Sequence, residues 1–133
     1  MMAWAYSQRS LSRLSTCDHD LQLLFLEALK DPACPYDITI IEGHRTEARQ
    51  NQMVAEGKSQ LRWPRSRHNS LPSMAVDVAP FVGGSISWSW DHYNPLADHV
   101  KAVWSRLKAE GRVHGKLVWG GDWTSLKDGP HFQ

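Results

Sequence analysis

The chain has no apolar run approaching the roughly 20 residues needed to cross a membrane, so no stable membrane association is expected. Its start, Met1-Met2-Ala3-Trp4-Ala5-Tyr6-Ser7, has neither a charged region nor a long apolar stretch. No secretory signal is read there, and the expected location is the cytoplasm, unless something else releases the chain. Cysteine is scarce. Cys17 and Cys34 are too few and too far apart for a zinc knuckle or a redox pair, and buried free thiols are expected. An excess of one charge is missing too: 15 Lys+Arg against 14 Asp+Glu leave a net charge of +1, which argues against nucleic acid as a partner. The chain has no Gly-rich phosphate loop, no dinucleotide fingerprint, no G-x-S-x-G elbow and no H-E-x-x-H pair, so several enzyme classes have no anchor. There is no internal repeat. At 133 residues the length suits a single domain, 1–133, with a core that needs no disulfide.

What is present reads as α+β. Leu21, Leu24, Phe25 and Ala28 recur on one helical face and predict a helix over 18–30, ended by Asp31-Pro32. The β-branched run 38–41 predicts a strand. Thr46 is placed to cap a helix running to about 56. Polar residues with Pro64 and Pro72 make 58–73 a loop. Strands are expected at 74–81, 86–90 and 116–119, and a helix over 95–110 that buries Leu96, Val100, Val103, Trp104 and Leu107. The order suggests a small antiparallel sheet covered by helices.

Against this frame the chemistry-bearing residues stand out. Asp77 interrupts an apolar strand between small alanines, and a carboxylate there needs a partner, either an arginine or a metal. His68 lies in the polar loop, where a lone histidine is ordinarily solvated. His131 follows Pro130 near the chain end, where a histidine is ordinarily a disordered tail residue. Together with Asp128, three residues before His131, they form one set: three donors able to hold zinc with an open position, and a carboxylate to take a proton. The other histidines fit less well. His92 and His99 are two helical turns apart, roughly 10 Å, and His44 and His114 have no acid at ligand spacing.

Ser66-x-His68 and Ala75-x-Asp77, with Asp128-x-Pro130-His131 at the end, resemble the pattern of the family M15 zinc peptidases, S-x-H-x-x-G-x-A-x-D followed late by an acid and a W/P-H pair. The segment from Gly43 to Gln50 is similar to the family's G-x-R-S/T-x-x-x-Q stretch, and Trp119-Gly120-Gly121-Asp122-Trp123 to its W-G-G-D-W/F stretch. The resemblance spans roughly 38–133. It implies His68, Asp77 and His131 as zinc ligands, Asp128 as catalytic base, and Arg45 as a group that polarises the scissile carbonyl or grips substrate. Arg45 has a plainer alternative, an ion pair with Glu42 or Glu47. The implied fold is that of Hedgehog-type domains and D-Ala-D-Ala peptidases. One departure concerns the loop: nine residues separate His68 from Asp77, two more than in the pattern, and Ser73 stands where glycine is expected.

The resemblance implies peptidoglycan as substrate, cut at the L-Ala-D-Glu bond by a monomeric phage or prophage endolysin that meets the wall at lysis. D-Ala-D-Ala carboxypeptidase activity is the alternative within the family. A zinc-containing wall-binding module without catalysis and a metal-free glycan-binding module built on the seven tryptophans are the rival classes. Ser66 and Trp88 are the substrate-contact candidates. Trp88 and Trp90 share one face of the expected strand, where they can stack on sugar or line a groove. The arginines at 9, 13, 62, 65 and 67 read as solvated charges, with contact to anionic wall polymers as the functional alternative.

Overall fold

A computed structural model describes residues 4–133; Met1 to Ala3, part of the start read for a signal, lie outside the described residues. The first helix, α1 (Gln8–Leu14), has no signature in the pattern, because seven residues with two leucines make no repeating apolar stripe. Ser7 caps it, and its C-terminal end feeds α2 (His19–Lys30), where Asp18 accepts from the Asp20 N–H. The face of α2 read from the sequence is the buried one: Leu21, Leu24, Phe25 and Ala28. Next come β1 (Asp37–Glu42) and α3 (Glu47–Ala55), the latter capped by Thr46 through the Arg49 N–H. The remaining elements are β2 (Val76–Val82), β3 (Ser85–Ile86), α4 (Trp90–Ala109) and β4 (His131–Phe132).

The sheet is antiparallel throughout, with β2 paired to β1, β3 and β4. α1 packs on β1, while α4 contacts both β2 and α2. The register of β1 against β2 slips between Ile40 and Glu42. α1 takes up the backbone groups left near this irregularity: the Ile40 N–H donates to the Ser10 hydroxyl, and the Ile40 carbonyl accepts from Arg13. Arg13 is therefore tied to the sheet and is not a purely solvated charge.

The chain end is part of the core. Phe132 is 1% exposed, meets Phe25 edge-on at 5.5 Å and stacks on Trp119 at 6.4 Å. Burying a phenylalanine contributes about 1.5–3 kcal/mol, enough to hold a short strand in place. His131 therefore sits on ordered backbone. Cys17 and Cys34 are buried free thiols, as expected.

Two expectations for the second half need correction. The strand over 86–90 stops at Ile86, and Trp90 opens α4, five residues ahead of the start expected at Pro95. Local side-chain caps decide this: Ser87 accepts from the Ser89 N–H, and Ser89 accepts from the Asp91 N–H. The earlier turns also bury Tyr93. The strand over 116–119 reduces to one antiparallel bridge, Trp119 with Phe132, because its partner is only two residues long.

Candidate active site

The register of the sheet places Glu42 opposite Asp77 on one side and His131 opposite Asp77 on the other. Three charge-bearing residues thus form a row across β1, β2 and β4. His68 approaches the row from a 3-10 turn, Arg67–Asn69. Ser66 starts this turn with a reciprocal cap: its hydroxyl accepts from the His68 N–H at 3.2 Å, and Asn69 Oδ1 accepts from the Ser66 N–H at 3.1 Å.

One oxygen of Asp77, Oδ1, lies 3.2 Å from His68 Nε2 and 3.3 Å from His131 Nδ1. One donor atom from each of the three residues falls within 4.8 Å of the others. The outer ring nitrogens are held as well. His68 Nδ1 donates to the Gly43 carbonyl at 2.8 Å, and His131 Nε2 donates to Gln133 Oε1 at 2.8 Å. A carbonyl oxygen only accepts, so the outer nitrogen of each ring carries an N–H; the inner nitrogen is bare in the neutral ring and donates to Asp77 once the ring is protonated. This is the outer hydrogen bonding that orients histidines as metal ligands.

Burial by itself raises the Asp77 carboxyl, but hydrogen bonds from His131 and His68 outweigh it and hold the group well below the usual range. On the other carboxylate oxygen, Arg45 Nη2 lies 3.6 Å from Asp77 Oδ2. The Arg45 side chain is only 5% exposed and is fixed by Glu42 Oε1, at 3.0 and 2.8 Å, and by Gln50 Oε1 at 3.0 Å. The plainer reading of Arg45, a pair with Glu42, is thus present, and the same guanidinium lines the cavity above Asp77.

That cavity, of about 500 Å³, is lined by His68, Asp77, His131, Arg45, Ser66 and Asp128 together with the segment after α3 and Trp123. Asp128 behaves differently from Asp77. Burial pushes its carboxyl upward and the Asp77 charge adds to this, while His131, His68 and Arg45 pull it partly back. The segment bearing it is packed from behind. The Asp128 N–H donates to the Gly120 carbonyl at 3.0 Å, and Trp119 Nε1 donates to the Gly129 carbonyl at 2.7 Å. A methyl group on Gly120 would strike the Asp128 carbonyl, so the glycine permits this approach.

The longer loop after His68 leaves the site intact. The Met74 N–H donates to the Arg67 carbonyl at 3.0 Å and closes the loop at its base, while Leu71 projects into solvent, 71% exposed. Ser73, in place of glycine, is buried and donates its hydroxyl to the Ala75 carbonyl at 2.6 Å.

Of the seven site residues read from the sequence, the structure gathers six. Trp88 is the exception. It lies 60% exposed between β3 and α4, and it is not among the residues lining the cavity; the strand that was to present it there ends at Ile86. Ser66 lines the cavity, but its oxygen caps the turn that carries His68. Gln133 and Trp123 were not singled out. Trp123 packs against the His131 ring, with centroids 5.2 Å apart. Its place in the W-G-G-D-W stretch was the available signal. Gln133 left none, because a terminal glutamine is unremarkable until its partner histidine is known to be ordered. Gln50 is fully buried and uses its amide on Arg45, Asn69, Ser59 and Leu61.

A helix-covered antiparallel sheet that brings two imidazoles and a carboxylate to one point, with a second carboxylate on the same cavity, defines a small α+β domain with a candidate metal site of hydrolase type. The comparisons make this specific. The family model described as phage L-alanyl-D-glutamate peptidase matches residues 2–131, and the chain belongs to that family. The L-alanyl-D-glutamate peptidase of Escherichia phage T5 is 33% identical over 131 residues, covering 96% of this chain and 87% of the phage protein. The peptidoglycan L-alanyl-D-glutamate endopeptidase CwlK of Bacillus subtilis strain 168 is 29% identical over 105 residues, 73% of this chain and 60% of its own length. The crystal structure of the Serratia marcescens L-Ala D-Glu endopeptidase ChiX superposes with a TM-score of 0.77 at 37% identity, covering 97% of this chain and 89% of that one.

Proposed function

We propose that the chain is a zinc-dependent endopeptidase that hydrolyses the L-Ala-D-Glu bond of peptidoglycan stem peptides. One observation carries the reading: in a chain of this family, His68, Asp77 and His131 bring three donor atoms within 4.8 Å of one another on a cavity that Asp128 also lines. The donor set suits zinc, two imidazole nitrogens and one carboxylate, with room for a fourth position. The bonds from His68 to Gly43 and from His131 to Gln133 support the same assignment. When bound there, zinc supplies a Lewis acid and brings the pKa of water toward 7.

The chain's own residues have distinct roles in this scheme. Asp128 accepts the proton of the attacking water and returns it to the leaving amine, a role suited to a carboxyl that burial has raised. Arg45 holds Asp77 in place and sets a fixed positive charge beside the carbonyl oxygen where negative charge develops. Ser66 positions His68. The phage relative, named as an L-alanyl-D-glutamate peptidase, supports an endolysin role; the proposal takes the chain as a monomeric single domain, kept in the producing cell and reaching the wall at lysis. Among the described residues, no helix is long and apolar enough to cross a membrane.

The test is digestion of purified Gram-negative peptidoglycan with and without a chelator, with new amino termini read by mass spectrometry. New N-terminal D-Glu, abolished by chelation and restored by zinc, is the expected result. Loss of terminal D-Ala would instead place the activity with the carboxypeptidases. Stoichiometric zinc without cleavage would leave a binding module.

A further inference from the structure

A glutamyl residue has two carboxyl groups, and a stem peptide that continues through one leaves the other free. Cleavage of an L-Ala-D-Glu bond therefore requires the groove to accept a negative charge on the residue that carries the leaving amine. The two acids lining the cavity, Asp77 and Asp128, oppose that charge, so a cation is needed to receive it. Four cations line the cavity: Arg45, Lys58, Arg67 and Lys127. Arg45 is buried against Glu42, and Lys58 is paired with Glu56 at 3.1 Å. Arg67 and Lys127 are exposed, and among the described residues neither forms an ion pair within 4.0 Å.

Their backbone positions are set by the site itself. Arg67 directly precedes His68 in the turn capped by Ser66, and its carbonyl closes the loop against Met74. Lys127 directly precedes Asp128, whose N–H is held by Gly120. One cation thus stands on the segment that carries a metal-ligand candidate, and the other stands on the segment that carries the proposed base. We infer that Arg67 and Lys127 together receive the free carboxylate of the substrate's D-glutamyl residue and so select an acidic residue after the scissile bond. This inference rests on the endopeptidase reading above.

An exposed cation meets the same carboxylate in the bound substrate and in the transition state, so its loss should raise KM and leave kcat nearly unchanged. The experiment uses two synthetic stem peptides that differ only in whether that glutamyl carboxylate is free or converted to a carboxamide. They are assayed with the zinc-loaded wild type, Arg67→Gln, Lys127→Gln and the double variant. Wild type should prefer the free carboxylate by about tenfold in kcat/KM, the size of one charge-assisted contact in a partly open groove. Each single variant should narrow the preference through KM, and the double variant should abolish it. Both side chains are exposed, so folding and zinc content, measured alongside, should be unaltered. Equal cleavage of both peptides by wild type, or an equal loss on both peptides in the variants, would overturn the inference while leaving the endopeptidase standing. A wild type that cleaves neither peptide removes the endopeptidase reading and this inference with it.

Discussion

Asp77 and Asp128 are the same side chain in two environments, and the difference suits the roles proposed for them. Asp77 receives two imidazoles and a guanidinium and stays ionised, as a ligand must. Asp128 is half-buried beside that charge and is raised, as suits a group that takes up a proton. Asp128→Asn should therefore retain one zinc and a native fold while turnover falls by about 10²–10⁴. His68→Ala should lose both zinc and turnover. Metal analysis beside the peptidoglycan assay separates the two cases, and near-wild-type turnover in Asp128→Asn would remove it from the mechanism. Gly43 is a second residue-scale constraint. Its carbonyl takes the His68 Nδ1–H, and a methyl group on it would collide with the Thr16 hydroxyl, the Arg13 carbonyl and the Cys17 thiol. Gly43→Ala should cost about 1–3 kcal/mol in urea unfolding, as overpacking does. An unchanged midpoint would mean that the end of α1 yields freely.

At the scale of elements, the site depends on short pieces whose position comes from capping and not from propensity. The three-residue turn carrying His68 is held by the Ser66 and Asn69 exchange. Ser66→Ala should destabilise the fold by about 1 kcal/mol and weaken zinc affinity by roughly tenfold or more, since the ligand loses its orientation. Ser66→Thr should recover much of both. If Ser66→Ala binds zinc as tightly as wild type, the cap does not set the ligand. The same distinction explains what was legible in the sequence. α2 and the apolar face of α4 announce themselves by repetition, and His68, Asp77, Asp128 and His131 by motif. α1 and the two-residue β4 are decided by contacts made at long range: Ser10 with Ile40, and Phe132 against Phe25 and Trp119. No local window contains those partners. Trp88 followed the wrong strand boundary, so a one-element error removed it from the site.

For the molecule as a whole, two polar clusters link elements outside the apolar core, the candidate metal-ligand cluster and a charged clasp at the two long helices. The cluster ties β4 and the 66–69 turn to β2, so zinc bound to the folded chain should raise the melting temperature, by about 2.7 kcal/mol of stability at a hundredfold excess over Kd. Chelation should reverse the gain, and a chelator-insensitive melt would argue against a metal in this site. The clasp centres on Glu27 of α2, which meets Lys30 at 3.1 Å, Arg112 at 3.5 Å and Arg106 of α4 at 3.8 Å. Its carboxyl is held below the ordinary value, foremost by the hydrogen bond from Lys30; burial opposes this, and the charges of Lys30, Arg112 and Arg106 add to the lowering. A depressed carboxyl pKa stabilises the fold above the unfolded-state value, roughly 4.3, and that stabilisation disappears as pH falls through the lower folded value. Wild type should thus exceed Glu27→Gln by about 0.5–1 kcal/mol at neutral pH. The gap should close progressively as the pH is lowered below about 4, and high salt should narrow it at every pH. Urea unfolding of both proteins across this range reads it directly. A gap that persists unchanged at low pH would mean that Glu27 stabilises the helix pair by packing, with its charge immaterial.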